Sequence, residues 1–184
     1  MALDREERPS DEAYYEERTD YVRQGDLFAD VPLGYPFPPD AADHTEGRRK
    51  FLSGPFETGF GLLVTPTCSM AAQGVPGRYA HPVRTLAPVL PLERLVDEQA
   101  IKATAVDDLR RYDHLANYCY VPELADVGLP ESLALLYATT TIHHDYLEDR
   151  RVAQLSVVAA THLKLKLTAH FSGELFSHED FFDD

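Results

Sequence analysis

The chain has 184 residues, of which 44% are hydrophobic and 26% are charged, a composition typical of a folded domain rather than a disordered, collagen-like or membrane-embedded chain. At this length a single domain can bury a core without disulfides or a structural metal. The formal net charge is -14, from 31 acidic and 17 basic residues. A surface of this sign repels phosphate backbones and anionic membranes, so the composition disfavours nonspecific nucleic-acid binding.

The cysteines and the N-terminal residues bear on localisation. Cys68 and Cys119 do not form a C-x-x-C pair, and residues 1–7 contain no apolar stretch of the kind found in signal peptides. No segment approaches 18 consecutive apolar residues. We therefore expect a cytoplasmic protein with reduced thiols and no membrane association, although the two cysteines could also meet as one bridge.

Both ends of the chain are acidic. Residues 1–22 carry eight acidic and three basic residues, which predicts a flexible or weakly helical arm whose tyrosines can dock on another surface. Residues 174–184 hold five acids and three phenylalanines, which favours a disordered end or a docking peptide for a basic groove. The domain proper is expected over residues 23–173. The candidate binding residues of the tail are Phe176, Phe181 and Phe182.

The first half of the domain predicts three strands. Residues 25–32 are bounded by Gly and Pro, and residues 60–65 form a compact apolar run typical of a buried strand. Residues 83–92 are apolar and extended, and their prolines predict an edge or bulged strand. Between the first two strands, residues 34–50 predict a long surface connection because they are rich in Gly and Pro. That connection ends in a basic patch able to bind a short RNA, formed by Arg48, Arg49 and Lys50.

A change of hydrophobic period marks the second half of the domain. Apolar residues at helical spacing predict two short helices within an insertion at about residues 91–116. Strands are predicted again over residues 117–122 and 133–142, which are rich in aromatic and β-branched residues. The final helix is predicted to follow Ser156 as its N-cap and to end at Gly173.

Three of these pieces, taken in chain order, resemble the PemK/MazF family of toxin endoribonucleases. They are the Gly25-Asp26-Leu27 opening, the apolar strand Leu62-Leu63-Val64-Thr65, and a closing part. The closing part consists of Thr140-Thr141-Ile142, Tyr146-Leu147-Glu148-Asp149-Arg150, Leu155-Ser156 and the helix through Leu167. The resemblance implies an α+β fold, an SH3-like small β-barrel with inserted helices and a C-terminal helix. It also implies a homodimer.

A second pattern resembles a broader group of bacterial proteins that share Gln-Gly-Asp-Ile/Leu-Phe followed by Thr/Ser-x-x-Cys-Asp. This chain has Gln24-Gly25-Asp26-Leu27-Phe28 and Thr65-Pro66-Thr67-Cys68-Ser69, so Ser69 replaces the acid of that pattern.

The catalytic arginine of the toxins precedes their second strand, where this chain has Glu57-Thr58-Gly59-Phe60-Gly61. Arg84 and Thr85 could rebuild a ribonuclease site near the next strand, with Arg48 or Arg49, by stabilising charge at the phosphorus. Because the family arginine is missing, RNA cleavage is the alternative rather than the leading hypothesis.

Two other chemistries involve Cys68. With His81 it could form a nucleophile and its base, and with His81, Cys119 and the pair His143-His144 it offers enough ligands for zinc. The spacing of these ligands follows no recognised zinc pattern, and consecutive strand residues such as His143 and His144 are expected to point to opposite faces. We therefore assign neither a metal nor a cofactor from the sequence.

Taken together, the sequence favours a noncatalytic protein-binding or regulatory module of a bacterial toxin-antitoxin or defence system. Its partner is expected to be a basic protein that the acidic ends contact. The alternative is a divergent endoribonuclease of the PemK/MazF type acting on RNA, and a further alternative is a Cys68-dependent enzyme or a zinc-binding protein.

Overall fold

The computed structural model describes residues 14–33, 57–70, 82–111 and 117–172. The strands in these ranges are β1 Tyr15–Glu16, β2 Leu27–Leu33, β3 Glu57–Leu63, β4 Val83–Pro91, β5 Tyr118–Val121, β6 Ser132–Leu135, β7 Thr140–His143 and β8 Arg151–Leu155. The helices are α1 Thr67–Met70, α2 Leu92–Asp97, α3 Val106–Arg111 and α4 Val157–Ser172.

The eight strands form one antiparallel sheet in the order β1-β8-β2-β3-β4-β6-β5, with β7 beside β6 along β4. The sheet curls into a half-barrel, and α4 follows β8 as the last helix of the described residues. This architecture confirms the predicted α+β class and is compatible with a small β-barrel. The two helices predicted within the insertion are present as α2 and α3, between β4 and β5.

Strand β4 lies in the centre of the sheet, so of the two predicted alternatives, an edge or a bulged strand, the edge position is wrong. One side of β4 pairs with β3, and the other side pairs with β7 over Val83–Leu86 and with β6 over Val89–Pro91. Pro88 falls at the junction where β7 has ended and β6 has not yet begun. Because no register pair on that side involves Pro88, its missing N–H costs the sheet little.

The segment 133–142, predicted as one strand, is two strands joined by a turn. Residues 136–139 form the turn, in which the Ala138 amide donates to the Leu135 carbonyl (3.2 Å). The turn lets β6 pair with the C-terminal half of β4 and β7 with its N-terminal half. Threonine-rich composition predicts extended backbone correctly, but it carries no signal for the turn between the two extended pieces.

Apolar side chains cover both faces of the sheet. On one face, Leu163 of α4 packs with Leu62 and Val121 in the largest buried cluster. On the other face, Leu95 and Leu109 of the inserted helices pack on the β5–β6 half of the sheet. A third cluster lies over the β2–β3–β4 half and consists of Phe28, Val31, Leu33, Leu63, Met70, Leu86, Ile142 and Leu147.

Residues 14–22 are docked on the domain, which differs from the flexible arm expected for residues 1–22. Tyr14 is buried, and its hydroxyl donates to the carbonyl oxygen of Tyr120. The Tyr15 hydroxyl donates to the Pro122 carbonyl (2.7 Å), and β1 pairs with β8. Tyr14 and Tyr15 thus contact the chain itself, whereas the sequence predicted an arm whose tyrosines are available to another surface.

Helix α4 begins as predicted and contains one unexpected buried charge. The Ser156 hydroxyl accepts from the Ala159 amide (3.2 Å), which is an N-cap contact. Lys166 lies on the buried face of α4, and its ammonium donates to the Tyr118 carbonyl oxygen. Burial lowers the pKa of Lys166 to about 7, because removal from water disfavours the charged amine.

Replacing Lys166 by methionine is expected to change how stability depends on pH. Between pH 7 and pH 10 the unfolded chain keeps a proton on Lys166 that the folded chain loses. The free energy of unfolding contributed by this group therefore rises with pH. The wild type should therefore gain stability relative to K166M over this window and stay parallel to it below pH 6. Urea denaturation at pH 6, 8 and 10 measures this difference. A difference that is constant with pH would contradict a depressed pKa.

Candidate functional site

Several of the residues singled out in the sequence, among them residues 24–26, 65–69, 84–85 and 143–144, lie at one end of the sheet, which we call the polar end. Because neighbouring strands are antiparallel, the starts of β2 and β4 lie beside the ends of β3 and β7. The register pairs Leu27 with Leu62, Leu63 with Leu86, and Leu86 with Thr140. The polar end consists of residues 24–26, 65–70, 82–85 and 141–145.

The two stretches that resemble one bacterial pattern meet at the polar end. The Gln24 amide donates to Thr67 Oγ1 (3.1 Å), and the Gln24 side chain donates to the Val64 carbonyl (2.7 Å). The Thr85 amide donates to Thr65 Oγ1 (2.6 Å), which joins the same loop to β4. Hydrogen bonds thus connect the loop after β3 to the residues before β2 on one side and to β4 on the other.

Gly25 allows this close approach of β2 to its neighbours. Its φ is +95°, and its amide donates to the Leu63 carbonyl (2.8 Å). A Cβ placed on Gly25 would lie 3.0 Å from Leu155 Cδ1. Only glycine combines this backbone conformation with so little space.

Asp26 is the most completely buried charged group of the polar end, at 0% exposure. Its Oδ2 accepts from the Arg23 amide (3.0 Å) and from Arg151 Nη1 (3.1 Å), whereas Oδ1 is buried with no hydrogen-bond partner. Burial raises the pKa of Asp26, although hydrogen bonds and the charges of Arg151 and Arg23 act in the opposite direction.

The arginines around Asp26 also hold the N-terminal segment. Arg151 donates to the Tyr21 carbonyl (2.7 Å) and to the Thr19 carbonyl. Arg23 donates to Glu16 and to the Leu155 carbonyl (2.6 Å). All of these contacts are made within the chain. The Asp26 cluster therefore has a structural role: it connects β2, β8 and residues 16–23. The sequence pattern singled out Asp26 but not its pairing with Arg151, which lies 125 positions away.

Arg84 and Thr85 do not converge, because consecutive residues of a strand point to opposite faces. Arg84 is 2% exposed and shares its face with Leu86, and its Nη1 donates to the Val83 carbonyl (3.0 Å). Thr85 lies on the face of the sheet that α4 covers. A phosphate cannot contact both side chains at once from one side of β4.

The cysteine alternatives involve Cys68 with His81, and Cys119. Cys68 belongs to α1, but its side chain and the whole of His81 lie outside the described residues, so their pairing stays a prediction. Cys119 is a free, buried thiol on β5, with the Tyr14 hydroxyl 3.8 Å away. Burial raises the pKa of Cys119 to about 11, so it is protonated at neutral pH and unsuited to nucleophilic attack.

The remaining candidate binding residues also lie outside the described part of the chain. They are the basic triplet Arg48, Arg49 and Lys50 and the tail residues Phe176, Phe181 and Phe182.

The expectation that His143 and His144 point to opposite faces is wrong. Strand β7 ends at His143, and residues 144–146 form a 3₁₀ turn, so the strand alternation stops between the two histidines. Their ring centroids are 4.8 Å apart. Asp145 Oδ1 lies 2.7 Å from His144 Nε2, and Asp145 Oδ2 lies 3.4 Å from His143 Nδ1.

Acidic residues surround this turn. Glu148 and Asp149 are exposed, and the Tyr146 hydroxyl donates to the carbonyl of Asp30 (3.3 Å), which is itself exposed. Asp30 lies at a bulge in β2 with φ +53°, a conformation that brings its side chain outward from the strand. We call Asp30, Asp145, Glu148 and Asp149 the acidic turn.

No family model matches the chain, and the search of curated proteins finds no match. Among the described residues, no helix is long and apolar enough to cross a membrane.

Substituting Gly25 by alanine is expected to destabilise the fold by about 2 kcal/mol or more, because a strained φ adds to the contact with Leu155. The matched control is Gly128→Ala, since Gly128 also has a positive φ (+71°) but open space around it. Its cost should be only about 1 kcal/mol, from the backbone alone. Equal losses in urea denaturation would show that the space beside Leu155 is unimportant.

Removing the carboxylate of Asp26 should destabilise the protein by about 3 kcal/mol, because Asp26→Ala leaves the half-buried Arg151 without its counter-charge. Asp126→Ala, which removes an exposed acid, is the control and should stay within about 0.5 kcal/mol of wild type. Thermal and urea denaturation measure both. A loss for D26A no larger than for D126A would refute this structural role.

Proposed function

We propose that the protein is a noncatalytic binding module that contacts a basic protein partner. The observation that carries this proposal is the exposed charge of the described residues, in which twelve acidic side chains outnumber five basic ones. The acids are Glu17, Asp20, Asp30, Glu93, Asp97, Glu98, Asp107, Glu123, Asp126, Asp145, Glu148 and Asp149. The bases are Arg18, Lys102, Arg110, Arg111 and Lys164.

The acidic turn supports a specific contact surface. Four carboxylates there flank Tyr146, which is 39% exposed and carries the Arg150 guanidinium 3.9 Å from its ring centroid. An exposed aromatic ring among like charges offers both apolar contact area and attraction for a basic surface. Charges of one sign also accelerate encounter with a partner of the opposite sign.

We further propose that the module belongs to the PemK/MazF type and acts in a bacterial toxin-antitoxin or defence system, in the cytoplasm and as a homodimer. Support comes from the order of the elements: Gly25-Asp26 precedes β2, Thr140–Ile142 lies in β7, and Ser156 caps the final helix after β8. The side chains of Arg84 and Thr85, on opposite faces of β4, favour binding over RNA cleavage by that pair.

Neutralising the acidic turn should weaken the partner complex. The test uses the triple variant D30N/E148Q/D149N, in which Asn at position 30 tolerates the positive φ. The matched control D97N/E123Q/D126N removes the same three charges elsewhere on the surface. Full-length wild type and both variants are used to capture partners from the native host, and the captured protein is then titrated against each in isolation.

The proposal expects a basic protein bound in fixed stoichiometry, with affinity that falls with added salt and falls more in the acidic-turn variant than in the control. Equal affinities of the two variants would refute the acidic turn as the contact. Copurified RNA fragments with uniform ends, and no protein partner, would overturn the proposal in favour of an endoribonuclease.

A further inference from the structure

We propose that His143, His144 and Asp145 form a binding site for a late first-row divalent transition metal ion such as Zn²⁺ or Ni²⁺. Each of the three residues offers one ligand atom, and these atoms all lie within 4.8 Å of one another. The proposal is independent of the identity of any protein partner.

The ligand types select the class of metal. Two imidazole nitrogens and one carboxylate oxygen suit zinc, nickel, cobalt and copper, whereas magnesium and calcium prefer sites made entirely of oxygen. Three protein ligands leave at least one coordination position open, as in metal sites that bind an exchangeable water or a group from another molecule.

His144 is oriented by the backbone. Its Nδ1 lies 3.1 Å from the Pro82 carbonyl oxygen, and its own amide donates to the same carbonyl (2.8 Å). Because a carbonyl oxygen only accepts, Nδ1 is the donor, and Nε2 is the nitrogen that faces the Asp145 carboxylate. A backbone carbonyl behind one ring nitrogen, with the metal on the other nitrogen, is the usual arrangement of a metal-binding histidine.

The other two ligands can move to the ion without disturbing the core. The His143 and Asp145 side chains are 51% and 70% exposed, whereas the His144 side chain is 19% exposed. Ligand atoms at about 2.0–2.2 Å from a zinc ion must lie closer together than 4.8 Å, so His143 and Asp145 rotate inward on binding. His144 is the fixed ligand, and the turn that follows it is held by the Leu147 amide donating to the His144 carbonyl (2.8 Å).

The surrounding charge favours a cation at this position. Glu148 and Asp149 are exposed on the same turn, and Asp30 is connected to it through Tyr146. Arg150 is a cation on the same turn, and its guanidinium is engaged by the Tyr146 ring and by the Tyr146 carbonyl (2.6 Å). These carboxylates raise the local concentration of divalent cations without having to bind the ion themselves.

Calorimetric titration of the untagged full-length protein with ZnCl₂, NiCl₂ and MgCl₂ tests the site. We expect one equivalent of Zn²⁺ or Ni²⁺ to bind and Mg²⁺ not to compete. His143→Ala and Asp145→Asn should each weaken binding by about tenfold or more, since each removes one ligand from an exposed position. His170→Ala, which removes an imidazole from α4, is the matched control and should bind like wild type.

The absorption spectrum of the Co²⁺-loaded protein separates this site from one that uses Cys68. Nitrogen and oxygen ligation gives visible d–d bands without the intense near-ultraviolet charge transfer of a thiolate. No stoichiometric binding, equal binding by H143A, D145N and wild type, or a thiolate band would each overturn the proposal. Thermal denaturation of both variants without metal shows that they remain folded, and added Zn²⁺ should raise the Tm of wild type more than theirs.

Discussion

A buried carboxylate at the entrance to β2 holds together parts of the chain that are far apart in sequence. Asp26 accepts from Arg151 of β8 and from the amide of Arg23, and both arginines in turn bind the segment before β2. Moving charges out of water is costly, so such a cluster persists only when its geometry is satisfied from several sides at once. Strand pairing between β2 and β8, the docking of residues 14–23 and the position of Gly25 therefore depend on one another.

The Asp26 cluster also explains why the motifs at the polar end have a structural role in addition to any binding role. Gln24 and Thr67 fasten the loop that carries Cys68, while Arg84 is buried on β4 rather than offered to solvent. The exposed chemistry lies instead at the end of β7, where two histidines and several carboxylates reach the surface. The residues that stabilise this end of the sheet are thus different from, but adjacent to, the exposed residues that can bind another molecule.

Much of this fold could be predicted from local patterns, because Gly and Pro boundaries mark β2 and β3, and helical spacing with a Ser cap marks α4. The central position of β4 could not be predicted, because β4 accommodates Pro88 only at the point where the pairing with β7 has ended and the pairing with β6 has not begun. The contact between His143 and His144 was missed for a related reason. The expectation treated both histidines as strand residues, but β7 ends at His143, so the alternation of side-chain direction does not extend to His144. Composition does not define strand ends to within one residue. Lys166 gave no sign of burial, because lysine on a helix is ordinarily solvated.

The pairing of β1 with β8 has a consequence for the order of folding. Tyr15 lies opposite Leu155, so the N-terminal strand reaches its partner only when nearly the whole domain has been made. During synthesis β2, β3 and β4 can associate as an antiparallel meander, while Tyr14 and Tyr15 have no surface on which to pack. The first residues of the described fold are therefore among the last to be ordered, and their docking completes the domain only after β8 has emerged from the ribosome.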